Sequence, residues 1–125
     1  MTRLRWARRI TASCKEAGTY RPYFDDVIDT LADILARRDA AKELFKKSGG
    51  NVMVVHVNKS GAANMEQNPA LRLVNDLDRD ALSYWRDLGL TPAGLKRINE
   101  GAMAAQEEAD PLAAALSQIR VVGAM

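Results

Sequence analysis

The sequence predicts an all-α fold of long helices, with one helical hairpin, one short extended segment and an oligomeric assembly. Three observations predict it. Apolar residues recur at helical spacing over long stretches that are punctuated by helix-stopping Gly and helix-starting Pro. Only one short run, Val52 to Val57, is dense in β-branched residues. The apolar arc of the stretch after Asn68 is wider than a surface helix needs. The chain has 125 residues, the size of one domain, and 47% are apolar, enough for a core. Aromatics are only 6%, which limits the core of a monomer and favours oligomers that bury more.

Residues 2–17 read as a first helix, which Gly18 ends. Trp6, Ala7, Ile10, Cys14 and Ala17 share one face, and Arg5, Arg8, Arg9, Ala12 and Lys15 the opposite one. Tyr20 to about Lys47 reads as a second helix. Pro22 suits its first turn, and Asp25 and Asp26 suit the positive end of its dipole. Phe24, Leu31, Arg38 and Phe45 recur every seven residues; Val27, Ile34 and Ala41 interleave, and Ile28 and Leu35 widen the stripe. That is a helix–helix seam, within the chain or between subunits. Arg38 is out of character there unless it snorkels. The last turns gather Arg37, Arg38, Lys42, Lys46 and Lys47 around Asp39 and Glu43. They compensate the dipole and pair at i, i+4 spacing, or form a second phosphate-contacting patch.

Ser48-Gly49-Gly50 breaks that helix. The run Val52 to Val57 is strand-like, but one strand makes no sheet. It therefore pairs with another chain, packs as an extended arm, or is not a strand. Asn58 to Gln67 reads as a polar loop. Asn68 then caps a third helix, with Pro69 in its first turn. Ala70, Leu71, Leu73, Val74, Leu77, Ala81, Leu82, Tyr84, Trp85 and Leu88 fill an arc of roughly 180°, against about 100° for a surface helix, so this helix faces two neighbours. Asp78 falls inside the arc, either solvated at its edge or paired with a basic group across an interface. Gly89 ends the helix. Thr91 caps and Pro92 starts a fourth, to about 106, with Leu95, Ile98 and Ala102 as a short apolar stripe that also carries Lys96 and Arg97. The short Leu88–Pro92 turn favours helical-hairpin packing over groove reading. Glu107, Glu108 and Asp110 form an acidic break before an apolar tail. The expected units are a basic helix (1–19), a helical core for oligomerisation (20–106) and a tail (107–125).

Net charge is only +2, but residues 1–21 hold six basic side chains against one acidic. A polyanion is therefore sought at the N-terminus. Cations along one helix face meet successive phosphates, and counterion release drives binding. The rival readings are a solvated face on a docking helix, or a membrane-surface helix, for which the apolar side has too few large residues. The single Cys14 excludes a disulfide framework and a Cys-based zinc site, and reads as a small buried residue. His56 is the sole histidine and reads as structural; no metal is expected. Neither GxxxxGK[ST] nor GxGxxG occurs, so no nucleotide cofactor is expected. Carboxylates do not converge on a dyad, so the chain does not read as an enzyme. No run approaches the roughly 18 apolar residues of a membrane span, and no secretory signal is visible.

Asn68-Pro69-Ala70-Leu71, then Asn75-Asp76, Tyr84-Trp85 and Leu88-Gly89-Leu90-Thr91-Pro92, resembles the core signature of the P27 family of phage terminase small subunits. The block from Ser48 to Asn58, followed by Lys59-Ser60-Gly61, fits that pattern too. The resemblance spans roughly residues 20–100. It implies a non-catalytic protein that holds double-stranded viral DNA, assembles as a homo-oligomeric ring and hands the DNA to a large subunit with the ATPase motor and nuclease. It also implies the cytoplasm of the bacterial host. Arg5, Arg8, Arg9 and Lys15 are then expected to neutralise phosphates, with Arg3 and Arg21 at the margins. That assignment rests on charge pattern, since the basic helix lies mostly outside the resembling stretch. Phe24, Ile28, Leu31, Ile34, Leu35 and Phe45, with Leu77, Tyr84, Trp85 and Leu88, are expected in packing and subunit contacts. Leu112, Leu116 and Ile119 are expected to dock the large subunit. Two rivals stand: a dimeric transcriptional regulator that reads DNA with residues 77–106, and an assembly adaptor whose basic helix binds an acidic protein.

Overall fold

The computed structural model describes residues 1–105. It is mostly helical, with a small antiparallel sheet. α1 (Arg3–Ala17) starts at Thr2, whose hydroxyl accepts from the Arg5 N–H at 3.3 Å. It stops at Gly18, where φ of 74° suits a residue without a Cβ. A single 3-10 turn, Pro22–Phe24, leads into α2 (Asp25–Lys47). α3 (Pro69–Asp87) follows the sheet. A fourth helix, α4, starts at 92 and is described as far as 105.

α2 is the centre of the molecule, packing against α1 and against α3. The seam therefore lies within the chain. Ile28, Leu31, Ile34 and Leu35 are buried beside Trp6, Ile10 and Cys14 of α1 and Val74, Leu77 and Ala81 of α3, with Leu88 closing the cluster. These side chains are packed within the chain. Phe24, Tyr84 and Trp85 pack half-buried at its margin, and Phe45 is half-buried. The wide apolar arc of α3 is only partly used: Leu73 and Leu82, on its two flanks, stay exposed.

Arg38 does not merely snorkel. Its guanidinium reaches across to α3, where Nη1 donates to Asp78 Oδ1 at 3.2 Å. The partner of Asp78 is thus within the chain, not across a subunit boundary. Asp39 also departs from expectation. It bonds the Trp6 indole and the chain's α-amino group rather than Lys42. The i, i+4 pair that does form on α2 is Asp33–Arg37, at 3.0 Å.

The expected lone strand has a partner in its own chain. β1 (Met53–Val57) pairs antiparallel with β2 (Ala63–Gln67), Val55 opposite Met65. The segment read as a polar loop is therefore half strand. Turn chemistry explains it better than propensity does, since Ala63, Asn64, Glu66 and Gln67 are poor strand formers. The Asn58 side-chain oxygen accepts from the Ser60 and Ala62 N–H groups at 3.1 and 3.0 Å, and Gly61 supplies φ of 84°.

Asn68 ties the hairpin to the helices. Its side-chain oxygen caps α3 through the Ala70 N–H at 3.0 Å. Its Nδ2 donates to Ser48 Oγ at 2.9 Å and the Asn51 carbonyl at 3.0 Å. The turn into α4 is equally tight. Thr91 Oγ1 accepts from the Gly94 N–H at 3.0 Å, and the Thr19 hydroxyl donates to the Leu88 carbonyl at 2.7 Å. A Cβ on Gly94 would collide with the Arg86 carbonyl, so only glycine lets α4 approach α3 this closely. Leu95 and Ile98 are half-buried, whereas Ala102 is exposed.

Candidate nucleic-acid interface

The placement of α1 follows from its apolar face. Trp6, Ile10 and Cys14, spaced i, i+4, i+8, sink against α2 and turn the opposite face outward. Trp6 adds direction to this packing. Its Nε1 donates to Asp39 Oδ2 at 2.7 Å, and the guanidinium groups of Arg9 and Arg38 lie 5.5 and 5.6 Å from its ring centre. The α-amino group of Met1 reaches the same carboxylate at 2.9 Å. Partial burial pushes the Asp39 carboxyl up. Hydrogen bonds from the α-amino group and the indole, and the charges of that amine and Arg38, outweigh it and hold the carboxyl below its ordinary value. The start of α1 is thereby locked to the middle of α2.

All six predicted cations are exposed, but they do not form one set. Arg3 is held by Asp29 of α2. Arg21 lies beyond α1 and donates to the Tyr20 carbonyl at 2.7 Å. Lys15 sits 5.1 Å from the Tyr20 ring centre. Arg5, Arg8 and Arg9 share one exposed face with Lys15, and none of these four has an acidic partner among the described residues. From Arg5 to Lys15 the stripe is about 15 Å long, at 1.5 Å per residue.

One flank of the stripe is less cationic than the sequence suggests. An open groove of about 400 Å³ separates Arg8 and Lys15 of α1 from Asp25 and Asp29 of α2. Arg5 and Arg9 do not line that groove; the Arg9 guanidinium lies over the Trp6 ring instead. The acidic wall was illegible from local sequence because it sits on another helix. On α2, Lys42, Lys46 and Lys47 are exposed, while Arg37 and Arg38 are engaged by Asp33 and Asp78. The second patch thus keeps only its three lysines.

Burial pushes the Cys14 thiol above its ordinary value, a hydrogen bond with Thr19 only partly opposing this. It is a packed side chain, not a poised nucleophile. His56 lies across β1–β2 from Glu66, at 3.9 Å. No group of three metal-capable side chains gathers among the described residues, and no helix there is long and apolar enough to cross a membrane.

A family model described as phage terminase, small subunit, matches residues 4–105. The chain belongs to the phage terminase small-subunit family. No curated protein and no solved structure matches it. The match begins at residue 4 and so takes in nearly all of α1, which the motif resemblance had mostly left out. Within the matched stretch, Asn68 and Thr91 act as helix caps and Gly89, with φ of 72°, as the helix stop. Leu112, Leu116 and Ile119, expected at the large-subunit contact, lie outside the described residues.

Proposed function

We propose that this chain is the non-catalytic, DNA-binding component of a P27-type packaging terminase. It holds double-stranded viral DNA and presents it to the large subunit, which supplies the ATPase and nuclease, in the cytoplasm of the bacterial host. Copies assemble into a ring, and the apolar tail with Leu112, Leu116 and Ile119 docks the large subunit. The observation that carries the DNA role is the stripe of Arg5, Arg8, Arg9 and Lys15: exposed, free of acidic partners among the described residues, and mounted on a helix whose other face is locked into the core. The regulator reading has less support. Among the described residues, α4 offers only Lys96 and Arg97 near its start, and Lys96 faces Glu100 at 3.9 Å.

The test is the solution mass of the full chain by light scattering, alone and with duplex DNA at low and moderate salt. A single large species that binds duplex and releases it as salt rises is the expected result. A dimer with fixed half-site spacing would favour the regulator, and a species indifferent to duplex would leave an adaptor.

A further inference from the structure

The linker between α1 and α2 is extended at Arg21, with φ of −138° and ψ of 140°, so successive side chains leave it on opposite sides. Tyr20 goes one way. Its ring lies 5.1 Å from Lys15, and its hydroxyl donates to Asp25 at 2.9 Å. Thr19 and Arg21 go the other way, into a pocket of about 180 Å³ that Tyr23, Phe24, Asp87 and Ile98 also line. The floor of this pocket is fixed. Thr19 is buried with its hydroxyl on the Leu88 carbonyl, and Phe24 and Ile98 are half-buried. The rim is open. Tyr23 is 75% exposed, braced by Phe24 with ring centres 4.8 Å apart and 72° between the planes. Arg21 and Asp87 are exposed and have no ion pair among the described residues. Arg21 Nη1 donates to the Tyr20 carbonyl, which leaves the other guanidinium N–H groups without a partner there.

We propose that this pocket takes an unpaired nucleobase from a DNA strand whose duplex lies on the stripe of Arg5, Arg8, Arg9 and Lys15, an inference that rests on the DNA-holding reading. Chemistry selects the ligand. The open Tyr23 ring offers a face to stack on, and every base has a matching face. Asp87 repels a bare phosphate, so a simple anion is not held. A carboxylate instead accepts from N–H groups on the Watson–Crick edge, which a paired base keeps hidden. Guanine presents two such donors side by side there and thymine one, so guanine is the preferred base. Arg21 supplies the cation for the phosphate of the same nucleotide. Position selects the strand form. The pocket lies across the linker from Lys15, so a strand leaving the stripe has to turn round the linker to enter. A single strand makes that turn, and a stiff duplex does not. A blunt duplex therefore engages the stripe alone.

The test is fluorescence anisotropy on the full chain with a blunt duplex and with the same duplex carrying a short single-stranded extension, of either polarity. The extension is guanine, thymine or abasic; the abasic one carries the same phosphates without the rings. The expected result is that the guanine extension binds tighter than the abasic one by about tenfold, with thymine between them. Tyr23→Ala removes that gain and binds the blunt duplex as wild type does. Asp87→Asn keeps the stacking gain and narrows the preference for guanine over thymine. Circular dichroism confirms that both variants keep their helix content. Equal affinity for base-bearing and abasic extensions, a gain that survives in Tyr23→Ala, or a guanine preference unchanged in Asp87→Asn would overturn the proposal. The blunt duplex separates the two readings. Salt-sensitive blunt binding without a base-dependent gain sinks the pocket alone. A base-dependent gain without blunt binding sinks the duplex stripe and leaves the pocket standing.

Discussion

Arg38 joins three helices, and the three ways of removing its contacts should differ in a set order. Its side chain is 18% exposed, against 47% for Asp78 and 25% for Asp39. Its Nε is buried without a hydrogen-bond partner among the described residues. The guanidinium is therefore imperfectly satisfied already, and Arg38→Met keeps the apolar stem while removing the desolvated charge. Asp78 is half-exposed and returns to water, and Asp39 keeps the indole and the α-amino group. Removing one member of a buried pair is costly when its partner stays desolvated, but Asp78 is half-exposed and Asp39 keeps two donors, so the expected change is within about 1 kcal/mol. Asp78→Ala leaves the charge without its nearest acceptor and should cost about 1–2 kcal/mol. Asp39→Ala strips acceptors from the Trp6 indole, the α-amino group and Arg38 together, and should cost about 2–4 kcal/mol. On a chain of this size about 1 kcal/mol moves Tm by roughly 4 °C, so the order is readable. Urea unfolding followed by circular dichroism is the assay, with Trp6 fluorescence as a local probe in a Trp85→Phe background, since the chain has two tryptophans. An Arg38→Met loss as large as that of Asp39→Ala would refute the reasoning, because Arg38 would then be a net source of stability rather than a bridge.

Three further outcomes follow from the same geometry. Asn68→Ala removes a helix cap and two donated hydrogen bonds, and should cost about 2–3 kcal/mol by denaturant midpoint; a loss under 0.5 kcal/mol would contradict the tie between hairpin and helices. Gly94→Ala must push α4 off the Arg86 carbonyl, a strain of about 1–3 kcal/mol; amide exchange in α4 should rise while that of the α2 core stays unchanged. Asp39 has a lowered folded pKa, so its stabilisation is present above the ordinary carboxylate pKa of about 3.9 and is lost as pH falls through the folded value. The stability gap between wild type and Asp39→Asn should therefore narrow below about pH 4, and a gap constant from pH 6 to 2.5 would remove that linkage.

Helix placement was legible where a boundary carries its own chemistry: Gly18, Asn68, Gly89 and Thr91 act within a turn of themselves. The second strand was not legible. Ala63, Asn64, Glu66 and Gln67 have no strand preference, and the Asn58 turn that forces their pairing looks like any polar loop. The pairing of Arg38 with Asp78 and of Trp6 with Asp39 joins residues 40 and 33 positions apart, beyond any periodicity. The basic stripe was visible as a face of one helix. Its narrowing by Asp25 and Asp29 was not, because that depends on how α1 leans on α2. The seam of α2 was visible too, and only packing could decide that it closes within the chain.

The most direct test of the DNA-holding role is the affinity of the full chain for duplex DNA as a function of salt, for wild type and for Arg5→Ala/Arg8→Ala/Arg9→Ala. The three arginines are exposed and make no salt bridge among the described residues, and Trp6 keeps its bond to Asp39 and its contact with Arg38 when Arg9 is lost, so the variant should keep its fold. Four phosphate contacts per chain predict a log–log slope of about −3.6, at roughly −0.9 per contact, and the variant should retain about −0.9 from Lys15. That flattening, with affinity at about 0.1 M salt falling some hundreds-fold, is the predicted result. A folded variant with the wild-type slope, or a wild-type chain whose binding ignores salt, would contradict it.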